Sequence, residues 1–198
     1  MADQIDVYNI ALNILGMKEV TGTSQVSPSV DVLNTFYQPA LRELFEECPW
    51  SFATTKESLI SVSDTVLEYE WKYIYAKPVK AVNIWAIYDE STVKTKYENT
   101  FELVYQPEYN REVICTDLAD ALCEYAYVVT DTRLFSPKFV IALGHKLAAY
   151  AAPQLVTDAK KRLDVINAAM MFIEQAKTYN FQRKQKKHDQ TSKYKSAR

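Results

Sequence analysis

The sequence predicts an α+β fold: a bundle of about four helices drawn from both ends of the chain, a central, mostly antiparallel β lobe, and an extended C-terminal tail. Three observations carry this prediction. Apolar residues recur at spacings of three and four up to Cys48 and again after Asp131, the helical period. Between Pro49 and Thr130 the period falls to two, as in strands. From about Phe181 the apolar pattern fails and charge takes over. The organisation expected is therefore one domain over 1–180, with a helical lobe of 1–49 plus 132–180 and a β lobe of 50–131, followed by a basic tail over 181–198.

Each element has its own signal. Asp3 caps a first helix in which Ile5, Tyr8, Leu12 and Leu15 form the stripe, and Gly16 sits where a helix turns left-handed to stop. Ser27-Pro28 supplies an N-cap and a proline at the first helical position, where a missing N–H costs nothing. The second helix lines up Val30, Leu33, Tyr37, Leu41, Leu44 and Cys48; Pro39 should kink it, because its nitrogen cannot bond the carbonyl of Thr35, and Pro49 ends it. In the middle, Tyr69, Trp71, Tyr73 and Tyr75 alternate with Glu70, Lys72 and Ile74, predicting a strand with one aromatic face. Further strands are expected over Phe52 to Leu59, Ala81 to Tyr88, Phe101 to Gln106, Val113 to Cys115 and Leu122 to Thr130, joined too briefly for crossover helices. Ser136-Pro137 then repeats the cap-plus-proline start for a helix carrying Phe139, Leu143, Leu147, Tyr150 and Ala151, which Pro153 should bend or end. A last helix is expected from about Thr157 or Asp158, with Leu163, Ile166, Met170 and Ile173 as its apolar stripe, to Lys177 or beyond.

The chain of 198 residues, 48% of them hydrophobic, can bury a core of its own. Its three glycines leave little linker, while 14 tyrosines and 8 phenylalanines offer amphipathic contact area. The net charge of −2 conceals an asymmetry: seven basic residues and one acid lie between Phe181 and Arg198, giving +6, and the first 180 residues hold 16 basic against 24 acidic, giving −8. Cys48, Cys115 and Cys123 are odd in number and widely spaced, which suggests buried free thiols rather than disulfides or a zinc site. The opening Met-Ala-Asp-Gln-Ile-Asp lacks a signal-peptide pattern and no stretch approaches a membrane span, so synthesis and action in a reducing cytoplasm, without membrane contact, are expected.

Motifs for chemistry are sparse. Glu43, Glu46 and Glu47 include a possible acid for glycoside cleavage, but that work needs a second carboxylate at suitable separation and a raised pKa in an apolar setting; a solvated helix face is the plainer reading. His145 and His188 have no recognised nucleophile motif or metal partners beside them, and the isolated Gly16, Gly22 and Gly144 build no phosphate loop. No catalytic residue, cofactor or metal is expected. Trp50, Trp71 and Trp85 read as core or interface residues before they read as stacking platforms for bases or sugars. On charge alone the tail serves a protein partner and nucleic-acid phosphates about equally well.

Certain local sequences, in their order, resemble the tail tubular protein A and head-to-tail adaptor family of short-tailed bacteriophages. They are Ala11-Leu12-Asn13-Ile14-Leu15-Gly16, Pro49-Trp50-Ser51-Phe52-Ala53, Trp71-Lys72-Tyr73-Ile74-Tyr75 followed by Pro78, and Glu124-Tyr125-Ala126-Tyr127-Val128-Val129-Thr130-Asp131. Ala142-Leu143 and Leu147-Ala148-Ala149-Tyr150-Ala151-Ala152 complete the set, which reaches to about Asn180. The resemblance implies a structural virion protein at the head-tail junction, assembled in the host cytoplasm: one of usually twelve copies in a ring beneath the portal protein and above the tail nozzle protein, with genomic DNA passing through the lumen. It implies that the tail docks on the portal through Tyr179, Phe181, Arg183, Lys184, Lys186, Lys187, Lys193, Tyr194, Lys195 and Arg198. Trp71, Tyr73, Tyr75 and Trp85 become the candidate subunit or nozzle contacts. Under this reading an acidic body suits a conduit that should not trap DNA phosphates. Two alternatives stand beside it, a peptidoglycan-degrading tail component, which the family also suggests, and a nucleic-acid-binding module that uses the tail.

Overall fold

The computed structural model describes residues 3–62, 71–89 and 101–183. It is an α+β fold whose elements run α1 (Gln4–Leu15), α2 (Pro28–Glu47), β1 (Thr54–Ser58), β2 (Tyr73–Ala76), β3 (Ala81–Asp89), β4 (Phe101–Gln106), β5 (Arg111–Thr116), β6 (Ala121–Tyr127), α3 (Pro137–Leu155) and α4 (Ala159–Arg183).

The helix ends follow the local chemistry. The Asp3 carboxylate accepts from Gln4 N at 2.6 Å while Asp6 accepts from Asp3 N at 2.7 Å, a reciprocal box at the start of α1. At the other end Gly16 takes φ 73°, and its N–H donates to the Asn13 carbonyl; a side chain there would be strained. Ser136 caps α3 by accepting from Phe139 N at 3.3 Å. Ser27 is the N-cap of α2 and Pro28 its first residue, as expected, but the Ser27 hydroxyl pairs with that of Ser29 at 2.9 Å instead of accepting from the first turn. α2 runs through Pro39 without interruption, and α3 continues two residues past Pro153. Asp158 accepts from Lys160 N at 2.9 Å where α4 begins.

α3 is the hub of the bundle, packing against α1, α2 and α4. Its approach to α1 depends on Gly144, where a Cβ would lie 2.4 Å from Ile10 Cγ2. At the junction with the β lobe, Phe45, Trp50, Phe52, Phe135 and Phe139 form an aromatic cluster with centroid separations of 4.8–6.3 Å. Trp50 is 1% exposed and donates Nε1–H to the Leu44 carbonyl at 2.6 Å, so its polar atom is satisfied inside the core. The same junction is tied by Asn83 of β3, whose amide donates to the Glu46 carbonyl at 2.8 Å.

The β lobe consists of two three-stranded antiparallel sheets, ordered β1-β6-β3 and β2-β5-β4. Tyr75, Ile84, Ile87, Ile114, Cys123 and Tyr125 form the buried cluster that the two sheets share. The opposite face of the second sheet buries Ile74, Val113 and Cys115, with Trp71 and Val104 against them. This corrects the alternation predicted around Trp71: β2 is shorter than expected, Ile74 and Tyr75 are both buried, and Tyr73 is exposed. Both faces of β2 are covered, so polar–apolar alternation could not mark an inner and an outer side. Tyr69 and Glu70 of that predicted strand lie outside the described residues. β6 stops at Tyr127, three residues short of the expected end. Asn110 and Asp120 hold the turns on either side of β5 with φ of 47° and 50°, a conformation Asn and Asp tolerate. All three cysteines are buried, and none forms a disulfide among the described residues.

Candidate functional site

The last helix carries the main departure from what its sequence suggests. Of the stripe Leu163, Ile166, Met170 and Ile173 expected in the core, Ile173 is buried, but Leu163, Ile166 and Met170 are solvent-exposed at 58%, 39% and 57%. The residues of α4 that are buried are Val165, Ala169, Ile173, Ala176 and Asn180. Phe181, 54% exposed, stands 18 residues beyond Leu163, five whole turns along the same side of the helix. An apolar line of Leu163, Ile166 and Met170 thus runs along α4 beside its buried face, and Phe181 lies on the same side beyond Glu174 and Lys177.

Beside this line a cleft of about 290 Å³ opens between α3 and α4. Lys146 and Tyr150 of α3 form one wall, and Ile166, Met170 and Ile173 of α4 the other. Its edge is an ion-pair network linking three helices. Lys146, 8% exposed, lies 3.0 Å from Glu43 and 2.5 Å from Glu47 of α2. Glu47 also reaches Lys177 of α4 at 2.8 Å, and Lys177 pairs with Glu174 at 2.9 Å. Tyr150 donates its hydroxyl to Glu43 and stacks on Phe36 at 5.6 Å, with the rings 9° from parallel.

The network sets the titration of its members. Burial alone would raise the Glu47 carboxyl, but the hydrogen bonds and charges of Lys146 and Lys177 outweigh it and hold the group below its ordinary value. The Tyr150 hydroxyl is pushed up to about 12, first by its bond to Glu43 and then by burial. The three glutamates are therefore not the uniformly solvated face expected from sequence: Glu43 and Glu47 are held across the bundle, while Glu46 pairs with Arg42 at 3.0 Å on the surface. A depressed carboxyl at Glu47 is opposite in sign to what a glycosidic general acid requires.

Two more polar groups lie inside without a hydrogen-bond partner among the described residues, His145 Nδ1 and Trp85 Nε1. The His145 ring stacks on Phe172 with centroids 3.9 Å apart, and burial pushes its pKa down.

The other singled-out residues are spread over the molecule. Trp71 packs on the outer cluster of the second sheet and donates Nε1–H to Glu102 at 3.2 Å. Tyr73 is exposed and stacks on Tyr75. Tyr75 is a core residue, 4% exposed, with its hydroxyl on the Leu118 carbonyl at 2.8 Å, so its ring is not on offer to a partner. Trp85 belongs to β3, in the other sheet. Tyr179 and Phe181 are exposed near the end of α4, and the Arg183 guanidinium sits 5.9 Å from the centre of the Tyr179 ring. Lys184, Lys186, Lys187, Lys193, Tyr194, Lys195 and Arg198, with His188, lie outside the described residues.

The structure thus brings Tyr179 and Arg183 together, leaves Phe181 on another side of α4, and separates Trp85 from the Trp71–Tyr75 group. Sequence reasoning missed the Lys146 network, although a lysine inside an apolar helical stripe and two glutamates four apart on α2 were its visible signals. Among the described residues no group of three or more His, Cys, Asp or Glu is placed to hold a metal, and no helix is long and apolar enough to cross a membrane. No protein-family model matches the chain, and no curated protein matches it.

Proposed function

We propose that the chain is a structural subunit of a head-to-tail adaptor ring in a short-tailed bacteriophage, joining the portal protein to the tail nozzle protein around a lumen through which genomic DNA passes. The observation that carries the reading is the exposed apolar line Leu163, Ile166, Met170 and Phe181 along α4. Leu163, Ile166 and Met170 lie together as exposed apolar surface, with Phe181 beyond the charged Glu174 and Lys177, and grouped apolar surface of this kind marks contact with another protein. A closed ring needs such surfaces, since each subunit meets its neighbours through two different faces. The resemblance to the adaptor family supplies the identity of the ring, and twelve copies is its usual number. In this reading the basic tail beyond α4 docks on the portal, exposed β-lobe aromatics such as Tyr73 and Tyr105 face the nozzle, and no chemistry is performed.

The direct test replaces Leu163 and Met170 by glutamate. Both positions are exposed, so the fold should persist, with stability changed by no more than about 0.5 kcal/mol per site. Ring formation on the portal should be lost. Normal rings from the double variant would remove α4 from the interface.

A further inference from the structure

We propose that the cleft between α3 and α4 is the docking site of this chain's own C-terminal segment, with the Tyr194 ring in the cleft and Lys193 and Lys195 on the carboxylates at its edge. The proposal goes beyond the adaptor reading and does not rest on it.

The cleft suits one aromatic side chain. Its volume is about 290 Å³, and its two polar lining groups are already engaged, Lys146 with Glu43 and Glu47 and the Tyr150 hydroxyl with Glu43. The rest of the lining is apolar, from Ala149, Ile166, Ala169, Met170 and Ile173. A tyrosine can bury its ring there and keep its hydroxyl in water.

The edge favours cations. Three carboxylates, Glu43, Glu47 and Glu174, face two ammonium groups, Lys146 and Lys177. One carboxylate is in surplus, and the Glu43 and Glu174 side chains keep 44% and 70% of their exposure, so they have room for another partner.

The chain supplies a matching ligand within reach. Fifteen residues follow Arg183, with six bases, one acid and a single aromatic, Tyr194, set between Lys193 and Lys195. From Arg183 back to Met170 is 13 residues of helix, about 20 Å at 1.5 Å per residue. The eleven residues from Arg183 to Tyr194 span up to about 36 Å when extended, enough to turn and return. The position of Phe181 on the side of Leu163 and Met170 also starts the segment on the correct side of α4. A segment docked in this way covers Ile166 and Met170, and so withholds part of the apolar line from other proteins until the tail is drawn off.

The test uses the full-length chain alone, with p-benzoylphenylalanine in place of Tyr194. On irradiation, cross-links within one molecule to residues 146–150 or 166–173 are expected, at a yield independent of protein concentration and reduced at high salt. Adducts only between two copies, only elsewhere on the surface, or none at all would overturn the proposal. As a second readout, Tyr194→Ser in the full chain should speed amide exchange over residues 163–173 several-fold; an unchanged rate would also overturn it. No portal is present, so failure here leaves the ring reading standing, and failure of the Leu163 and Met170 variants to alter rings leaves this proposal standing.

Discussion

Asn180 near the end of α4 holds Ser51 at the exit from α2, 129 positions earlier: its Oδ1 accepts from Ser51 N at 2.9 Å. The same amide donates to the Pro49 carbonyl at 3.1 Å and to Cys48 Sγ at 3.5 Å. At 4% exposure it is one of the few buried polar side chains, and it fastens the helix that precedes the basic tail to the start of the β lobe. Asn180→Ala removes the acceptor of the exposed Ser51 N–H and the donor to the Pro49 carbonyl, at a cost of about 0.5–1.5 kcal/mol for each bond lost. Urea unfolding should show a lower midpoint with an unchanged slope. An unshifted midpoint would mean that water replaces the amide without loss.

The Lys146 network gives a second expectation, with a sign that depends on pH. Because the folded Glu47 carboxyl titrates below its ordinary value of 4.5, the unfolded chain takes up that proton first on acidification. The contribution is present in full above the unfolded value and is lost as pH falls through the lower, folded one. Glu47→Gln should flatten the stability profile in that window. Lys146→Met leaves Glu43 without its ammonium partner and Glu47 with Lys177 alone. Complete loss of a buried partner costs about 3–5 kcal/mol, and the partial exposure of both carboxylates brings the expected cost nearer 1–3 kcal/mol. Combining the two substitutions should cost less than their sum, as for any pair in direct contact.

His145 behaves in the opposite sense to a histidine that gains an acid partner. Burial lowers its folded pKa from 6.5, so between that value and the folded one the unfolded chain is protonated and the folded chain is not. Stability should therefore fall as pH drops below about 6.5. His145→Phe keeps a ring against Phe172 and should remove this part of the slope, measured by denaturant unfolding between pH 7 and 5. An identical slope in the variant would place the sensitivity elsewhere.

Legibility in the sequence followed how local each signal was. Asp3 with Gly16, and Ser136 with Pro137, depend on a few neighbouring atoms, and they mark α1 and the start of α3 correctly. The period of α4 was also readable, but not the face it buries. Its sequence carries two apolar lines, and the one with the larger side chains, Leu163, Ile166, Met170 and Ile173, was the natural choice for the core, although only Ile173 of these is buried. The structure uses the smaller line, including Ala169 and Ala176, against a helix that itself buries Ala148, Ala151 and Ala152. Small side chains let the two backbones approach, a gain visible only once both helices are placed. The Lys146 network was hidden for the same reason, since its partners come from three separated segments. β2 was misread because both of its faces are covered, which erases the alternation that identifies an inner side.

The most direct measurement of the central claim is electron microscopy of this protein mixed with the portal protein of its own phage. The account predicts a closed ring of copies seated beneath the portal, with the α4 faces buried between neighbours and the residues beyond Arg183 in contact with the portal. Portal particles that remain bare at saturating protein, or that bind single copies with α4 facing solvent, would contradict it.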